Sequence, residues 1–391
     1  MLTITLPDAS QRTFDHPVTV GDIAADIGPG LAKAAIAGKI DDTLVDLSRL
    51  VDHDARIAIV TAKDPEGLEV IRHSTAHLMA QAVKQLYPSA QVTIGPVIDN
   101  GFYYDFYFER PFNDEDLAAI EARMRELAAQ GDELSRRVVD RSQAVQFFDQ
   151  LGEAFKVEII QSIPEAEELT LYTQGDFTDF CRGPHVPRAG MIGAFKLLSV
   201  AGAYWKGDAS RQQLQRLYGT AWFSKQDLER HLQQVEEAKR RDHRVLGKRL
   251  DLFLIDPAVG SGLVLWLPKG TVIRRELEAF LDAELIKRGY QPVCTPVIGR
   301  VGLYQTSGHY PYYADSQFPP IEMADGDRYL LRPMNCPHHV IIYKSKPRSY
   351  RELPLRLAEF GTVHRFEQSG ELNGMTRVRG FTQDDAHIFC T

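Results

Sequence analysis

The chain has 391 residues, of which 44% are hydrophobic and 25% charged, with a net charge of −8. These values suit a globular protein of roughly two to four domains and exclude a globally basic nucleic-acid binder, so any RNA contact must rest on local patches. There is no apolar run of about 18 residues and no signal-peptide pattern in MLTITLPDASQRTFD, and four cysteines give no disulfide framework, which predicts a reducing, cytoplasmic setting without membrane association.

Leu2, Ile4 and Leu6 alternate with polar residues, as in a half-buried strand. PDASQ turns the chain and RTF pairs back. VGDIAADI reads as a short helix stopped by Gly28-Pro29-Gly30, and AKAAIAGKI and RIAIV as later strands. Residues 1–62 are thus expected to form a small mixed sheet with one helix, similar to a ubiquitin-like β-grasp. The unit at 63–223 mixes a helix around HSTAHLMAQAV, the aromatic strand GFYYDFYFE, the amphipathic helix DEDLAAIEARMRELAAQG and the turn-rich DFCRGPHVPRAG. Ser224 and Asp227 form a capping-box pattern before LERHLQQVEEAKRR, so 224–242 reads as a connecting helix. Its run of Lys239, Arg240, Arg241, Arg244, Lys248 and Arg249 reads as a solvated face ahead of an RNA site.

The last unit, 243–391, opens with a helix over GTVIRRELEAFLDAELIKRGY that ends at Gly289, followed by a strand QPVCTPVI. YLLRPMNCPHH reads as a strand entering a loop. LRLAEFGTVHRFE and FTQDDAHIFC read as two strands joined by the loop QSGELNGMTRVRG. Cys294 and Cys390 have no motif partner and are expected to be buried apolar residues. The fold class is α+β and multidomain.

His73 and His77 sit four positions apart on a predicted helix, so they share a face. A metalloprotease would place Glu after the first histidine as its base, whereas this chain has Ser74. Cys181 and His185 form a loop-like C-x-x-x-H. Together these are three imidazoles and a thiol, a donor set that zinc accepts. Three readings stand at this point: a closed metal site, a coincidence of residue types, or a metal-free hydrolytic pocket in which imidazoles position water and carry protons. Lys156 and Asp179, polar residues of the same unit, could join that pocket.

HSTAHLMAQAV, IGPVIDNGFYYDF, FCRGPHVP, AGAYWKGD and LQRLYGTAW together resemble the editing domain of the bacterial threonyl-tRNA synthetases. The first unit resembles their TGS domain and the last their class II catalytic core, so the resemblance covers nearly the whole chain. It implies that His73, His77, Cys181 and His185 line a pocket that hydrolyses seryl-tRNA made in error, without metal, supported by Lys156 and Asp179.

On the final strand, alternation puts Phe381, Gln383, Asp385 and His387 on one face, a poor core face but a plausible site wall. Arg365 and Glu367 share a face of the preceding strand. An Arg–Glu pair on a hairpin is commonly a surface ion pair of little energetic weight. HRFE, however, resembles the motif 2 signature of class II synthetases. That resemblance implies that Arg365 binds the α-phosphate of ATP, brought with Mg2+, and Glu367 the adenine. Arg377 would contact ATP or the tRNA end, Phe381 would stack on adenine, and Gln383 would hold the activated amino acid. The segment ending at Pro296 looks like motif 1, which implies a homodimer. Cys336 and His387 match two of three zinc ligands, the third lying in a later segment of the family, with Asp385 at the amino group of threonine. His338 departs from the family, which has glycine there, and could crowd this site or compete as a ligand.

The implied function is threonine–tRNA ligation from ATP, L-threonine and tRNA(Thr), with hydrolysis of seryl-tRNA(Thr). The sequence stops after motif 2, so it reads as a portion lacking motif 3 and the anticodon-binding domain. A stand-alone deacylase and a non-catalytic tRNA-binding paralogue are the alternatives, the latter opposed by the intact site residues.

Overall fold

The computed structural model describes residues 1–208 and 210–391. The chain divides into two compact units, Met1–Gln234 and Val235–Thr391, with the division inside the helix Lys225–Arg240. Ser224 caps that helix as its spacing to Asp227 suggested, its Oγ accepting from Asp227 N at 3.1 Å.

The first unit begins with a five-stranded sheet in the order Gln11–Phe14, Leu2–Thr5, Ala55–Thr61, Ala35–Ile40, Thr43–Val45. Leu2–Thr5 runs parallel to Ala55–Thr61 and its other pairing is antiparallel. Leu2 and Ile4 are buried where alternation placed them, against Ile23 and Ile57. The helix Val20–Ile27 is held by a capping box between Thr19 and Asp22. The expected single helix is one too few. The first helix does stop before Gly28-Pro29-Gly30, capped at Gly28, but Pro29 also starts a second helix, Pro29–Ala34, since a missing N–H is no loss in a first helical turn. The strand expected from AKAAIAGKI therefore begins only at Ala35.

Helix Pro65–Leu86 is the centre of the remainder of this unit. It is buried on every face from Ser74 to Val83, which explains why its sequence lacks a clean polar stripe. It packs on a sheet ordered Ala194–Tyr204, Gln213–Trp222, Gly101–Tyr107, Gln91–Val92, and on helix Asp114–Gln130. Phe102, Tyr104 and Phe106 of the aromatic strand are fully buried. A separate antiparallel sheet, Leu134–Val139, Leu169–Gln174, Phe177–Phe180, places Tyr172 opposite Asp179. The segment after Phe180 leaves this sheet and carries Cys181 and His185 back to the central helix.

The second unit is built on Leu355–His364 paired antiparallel with Gly380–Phe389 through ten aligned residues, with Gln291–Pro292 parallel on the other edge. Three expectations need correction. QPVCTPVI is not one strand but two short ones, Gln291–Pro292 and Ile298–Arg300, because Pro292 and Pro296 offer no N–H to a ladder. With the strand interrupted, Cys294 is exposed, as is Cys390 past the last strand, and neither is the buried apolar residue expected. The segment after YLLRPMN is not a loop throughout, since Cys336 opens the helix Cys336–Lys344 with Pro337 in its first turn.

Candidate functional sites

The 3.6-residue period stacks His73 over His77 on the central helix, their ring centres 5.1 Å apart. The loop after Phe180 brings His185 against both, at 4.3 Å and 4.2 Å between ring centres. Cys181 Sγ lies 3.1 Å from His185 Nε2. One ligand atom from each of the four lies within 4.8 Å of the others. Lys156 and Asp179 complete the floor as a buried pair, Nζ to Oδ1 at 2.5 Å. Asp179 also accepts from Tyr104 Oη at 2.6 Å and from Phe180 N at 2.7 Å, and its Oδ2 stands 3.5 Å from His77 Nε2. All six residues expected in the pocket are brought together.

Ser74, which replaces a metalloprotease glutamate, has a definite role. Its hydroxyl donates to Val70 O at 2.8 Å and accepts from Val186 N at 3.0 Å. Its one proton is thus committed, so the contact of 3.1 Å to His185 Nδ1 is a donation by the imidazole. His185 Nε2 then carries the lone pair, and the Cys181 thiol donates to it. Burial, then the nearby Asp179 charge, holds that thiol well above its usual range, in keeping with a neutral S–H.

The imidazoles are neutral as well. Burial pushes His73 down to about 4, against the pull of Asp179 and a bond to the Pro184 backbone. Burial also drives His77 well down, helped by His73 and Lys156, and does the same for His185 with help from His77 and His73. At neutral pH the pocket therefore offers uncharged nitrogen acceptors beside one fixed ion pair.

The wall opposite is Tyr172, its ring 4.5 Å from His185, and Gly183 closes on it. Gly183 has φ +67°, and a Cβ there would lie 2.0 Å from Tyr172 Oη. Gly183→Ala should therefore destabilise this unit by at least about 1–3 kcal/mol through left-handed strain alone and raise the alkylation rate of Cys181. Urea unfolding and peptide-resolved alkylation check this; a variant matching the parent in both would contradict it.

In the second unit, an open cavity of about 960 Å³ collects Arg365, Glu367, Arg377 and Phe381. The Arg365 guanidinium lies 5.3 Å from the Phe381 ring centre. Arg365 and Glu367 do not share a strand face as expected, since the strand ends at His364; Glu367 is already engaged, accepting from Arg377 Nη2 at 2.8 Å and Nε at 3.0 Å, and Arg377 also reaches Glu371 at 3.0 Å. Gln383 is not brought into this cavity. Further along the same strand, Asp385 and His387 meet Cys336 in a cluster of its own, with one ligand atom from each within 4.8 Å. Burial and then Asp385 raise the Cys336 thiol.

A buried network behind this cluster was not foreseen. Glu359 accepts from Thr295 Oγ1 at 2.7 Å and from His339 Nε2 at 3.1 Å, and pairs with Arg332 at 3.3 Å. Burial raises the Glu359 carboxyl, but bonds from His339 and Thr295 and the Arg332 charge outweigh it and hold it low. His387 Nδ1 lies 2.8 Å from His339 Nδ1, and a donation by His387 in that contact leaves its Nε2 with a free lone pair. That tautomer, a thiol and a carboxylate fit a zinc ion. His338 neither crowds nor competes. It turns away from the cluster, buried against Gly299 and Tyr304.

The TGS domain family matches residues 2–61, the threonyl and alanyl tRNA synthetase second additional domain matches 169–218, and the tRNA synthetase class II core domain (G, H, P, S and T) matches 320–391. Threonine–tRNA ligase of Methylococcus capsulatus is 57% identical over 392 residues, covering 100% of this chain and 61% of its own length. That of Nitrosococcus oceani is 58% identical over 390 residues, 100% of this chain and 60% of its own. The chain thus spans about three-fifths of the length of the curated relatives it matches. A solved RNA binding domain of threonyl-tRNA synthetase from Cryptosporidium parvum is 48% identical over 39% of this chain and 37% of that one, with a TM-score of 0.37.

Proposed function

We propose that this chain, which belongs over its whole length to the threonine–tRNA ligase family, carries the motif 2 portion of that family's ligation site and a pocket that hydrolyses seryl-tRNA(Thr). The observation that carries the reading is the pocket of neutral imidazoles and a thiol around the Lys156–Asp179 pair, in a chain 57% identical to a ligase.

The hydrolysis needs no metal step. Water oxygen bonds to the ester carbonyl carbon of the seryl group, and the bond from that carbon to the ribose oxygen breaks. The proton leaving water goes to an imidazole and then to the ribose oxygen. His73 suits this role: it alone of the three histidines keeps partial exposure, and with one N–H spent on Pro184 its other nitrogen presents a lone pair. His185 is held by Ser74 and Cys181 and serves as a fixed wall. Lys156, neutralised by Asp179, supplies a localised N–H facing developing negative charge. Threonine differs from serine by one methyl, which a pocket of this fixed shape rejects sterically. A methylene in an apolar pocket is worth about 1–3 kcal/mol.

That last magnitude explains why two sites belong in one chain. In the ligation site, valine is nearly isosteric with threonine and is rejected only if the hydroxyl is required. Zinc held by Cys336 and His387 would supply a Lewis acid that binds the amino and hydroxyl groups of threonine, with Asp385 assisting at the amino group. Serine retains the hydroxyl and so passes that test. Arg365 would hold the α-phosphate of ATP–Mg2+ with Phe381 against adenine. Glu367 and Arg377, paired with each other, would turn toward adenine and ATP or the tRNA end when these bind. Gln383 would contact the activated amino acid.

The partners are tRNA(Thr), L-threonine and ATP, in the cytoplasm. A second copy of the chain is supported by helix Pro268–Lys287, which exposes Val272, Ile273, Leu277, Phe280 and Ile286. Among the described residues no helix is long and apolar enough to cross a membrane. The test is incubation with seryl-tRNA(Thr) and threonyl-tRNA(Thr) in parallel. The expected result is release of serine with threonine retained; equal release of both would overturn the hydrolytic reading.

A further inference from the structure

His185 sits in an irregular segment, yet its position is held from a distant part of the chain. Asp46 follows the strand Thr43–Val45 of the N-terminal sheet, 139 residues before His185 in sequence. Its Oδ1 accepts from His185 N at 2.9 Å and its Oδ2 accepts from Tyr172 Oη at 2.6 Å. Those two donors flank one imidazole, since the Tyr172 ring stands against His185. The carboxylate is 13% exposed, and the one cation paired with it among the described residues is Arg136, whose Nε is 3.9 Å away. The turn that carries Asp46 is itself fixed: Arg49 N donates to Asp46 O at 3.0 Å, and Gly21 N at the start of the first helix donates to Leu47 O at 2.8 Å.

We infer that Asp46 is a positioning residue of the hydrolytic pocket, through which the N-terminal sheet holds His185 and Cys181 in place against His73 and His77. The inference rests on the hydrolytic reading of that pocket. Both carboxylate oxygens are used, and each acts on a different wall: one fixes the main chain of His185, the other the ring that backs it. Loss of the carboxylate frees the Cys181–His185 segment and the Tyr172 hydroxyl together. Asp46 acts on the main chain of His185 and on the Tyr172 hydroxyl, not on the imidazole nitrogens themselves, so its effect should fall on the catalytic step more than on tRNA binding. A displacement of about 1 Å in a catalytic group can lower a rate on the order of 10²-fold.

The experiment uses the full chain with Asp46→Ala and Asp46→Asn, and the pair His73→Ala with His77→Ala as a control. Serine release from seryl-tRNA(Thr) is measured as kcat and KM, and alkylation of the Cys181 peptide by iodoacetamide is followed by mass spectrometry. Asp46→Ala is expected to lower kcat about 10- to 100-fold with KM little changed, and to speed Cys181 alkylation. Asp46→Asn keeps an oxygen for His185 N and an amide that can donate to Tyr172 Oη, so it should restore most of both. If Asp46→Ala fails to fold, a wild-type alkylation rate and kcat in Asp46→Asn together with a loosened Cys181 in Tyr172→Phe support the inference, and an unchanged Cys181 in Tyr172→Phe overturns it. Asp46→Ala with both readouts at wild-type values overturns it while leaving the hydrolytic reading intact, provided the histidine control has lost serine release. If that control keeps full activity, the hydrolytic reading fails, and Cys181 alkylation in Asp46→Ala alone decides whether Asp46 positions the segment.

Discussion

Lys156→Met is expected to destabilise the first unit by about 3–5 kcal/mol, the range for removing one partner of a buried ion pair. Both members are almost wholly buried, and they are 2.5 Å apart. Without the ammonium, Asp179 keeps only the Tyr104 hydroxyl, the Phe180 N–H and the distant His77 imidazole. It must then hold its charge uncompensated or take up a proton. The ammonium also lies 5.5 Å from the Tyr104 ring centre, a contact that methionine only partly replaces. Replacing both partners, Lys156→Met with Asp179→Asn, leaves no orphaned charge: the amide oxygen can accept from Phe180 N and the amide NH2 can donate to Tyr104 Oη. That double variant should regain most of the stability but not the serine release, which separates the structural role of the pair from its chemical one. Urea unfolding followed by circular dichroism reads the first effect. An unfolding midpoint for Lys156→Met equal to that of the parent would contradict the account.

His73→Ala combined with His77→Ala should lower serine release on the order of 10²–10⁴-fold, the usual contribution of a positioned acid or base. Alanine is the best helix former, so the central helix should persist. The same change should alter the response to acid in a defined direction. Burial holds His73 at about 4, below its unfolded value near 6.5, so the unfolded chain binds more protons between those two pH values. The stability tied to this histidine is fully present above about pH 6.5 and is lost as pH falls toward 4, by up to about 3 kcal/mol. His77 acts in the same sense. The double variant should therefore resist acid unfolding better than the parent while having lost its activity.

The elements around both sites follow from local rules. The spacing of His73 and His77 means one helical face in any helix, and alternation in FTQDDAHIF correctly puts Asp385 and His387 together. Residue types group Cys181 and His185 with the histidine pair only as one of three open readings, and the resemblance chooses among them, since nothing in C-x-x-x-H says which helix it will meet. Asp46 had no local signal at all, because its two bonds are made by the packing of one sheet on another segment. The Glu359, Arg332, Thr295 and His339 network is of the same kind, and alternation on Leu355–His364 marks Glu359 only as inward-facing. Proline misled twice in opposite ways. Pro29 and Pro337 were signals of helix starts, whereas Pro292 and Pro296 broke an apolar run that hydropathy alone makes into a strand.

The most direct test of the central claim is single-turnover hydrolysis of seryl-tRNA(Thr) by excess protein, comparing the parent chain with His73→Ala plus His77→Ala at neutral pH. The account predicts rapid serine release by the parent and a rate near that of free seryl-tRNA for the variant, with both proteins folded by circular dichroism. A folded variant that releases serine at the parent rate would show that the ester is cleaved elsewhere and that the imidazole pocket is not the hydrolytic site.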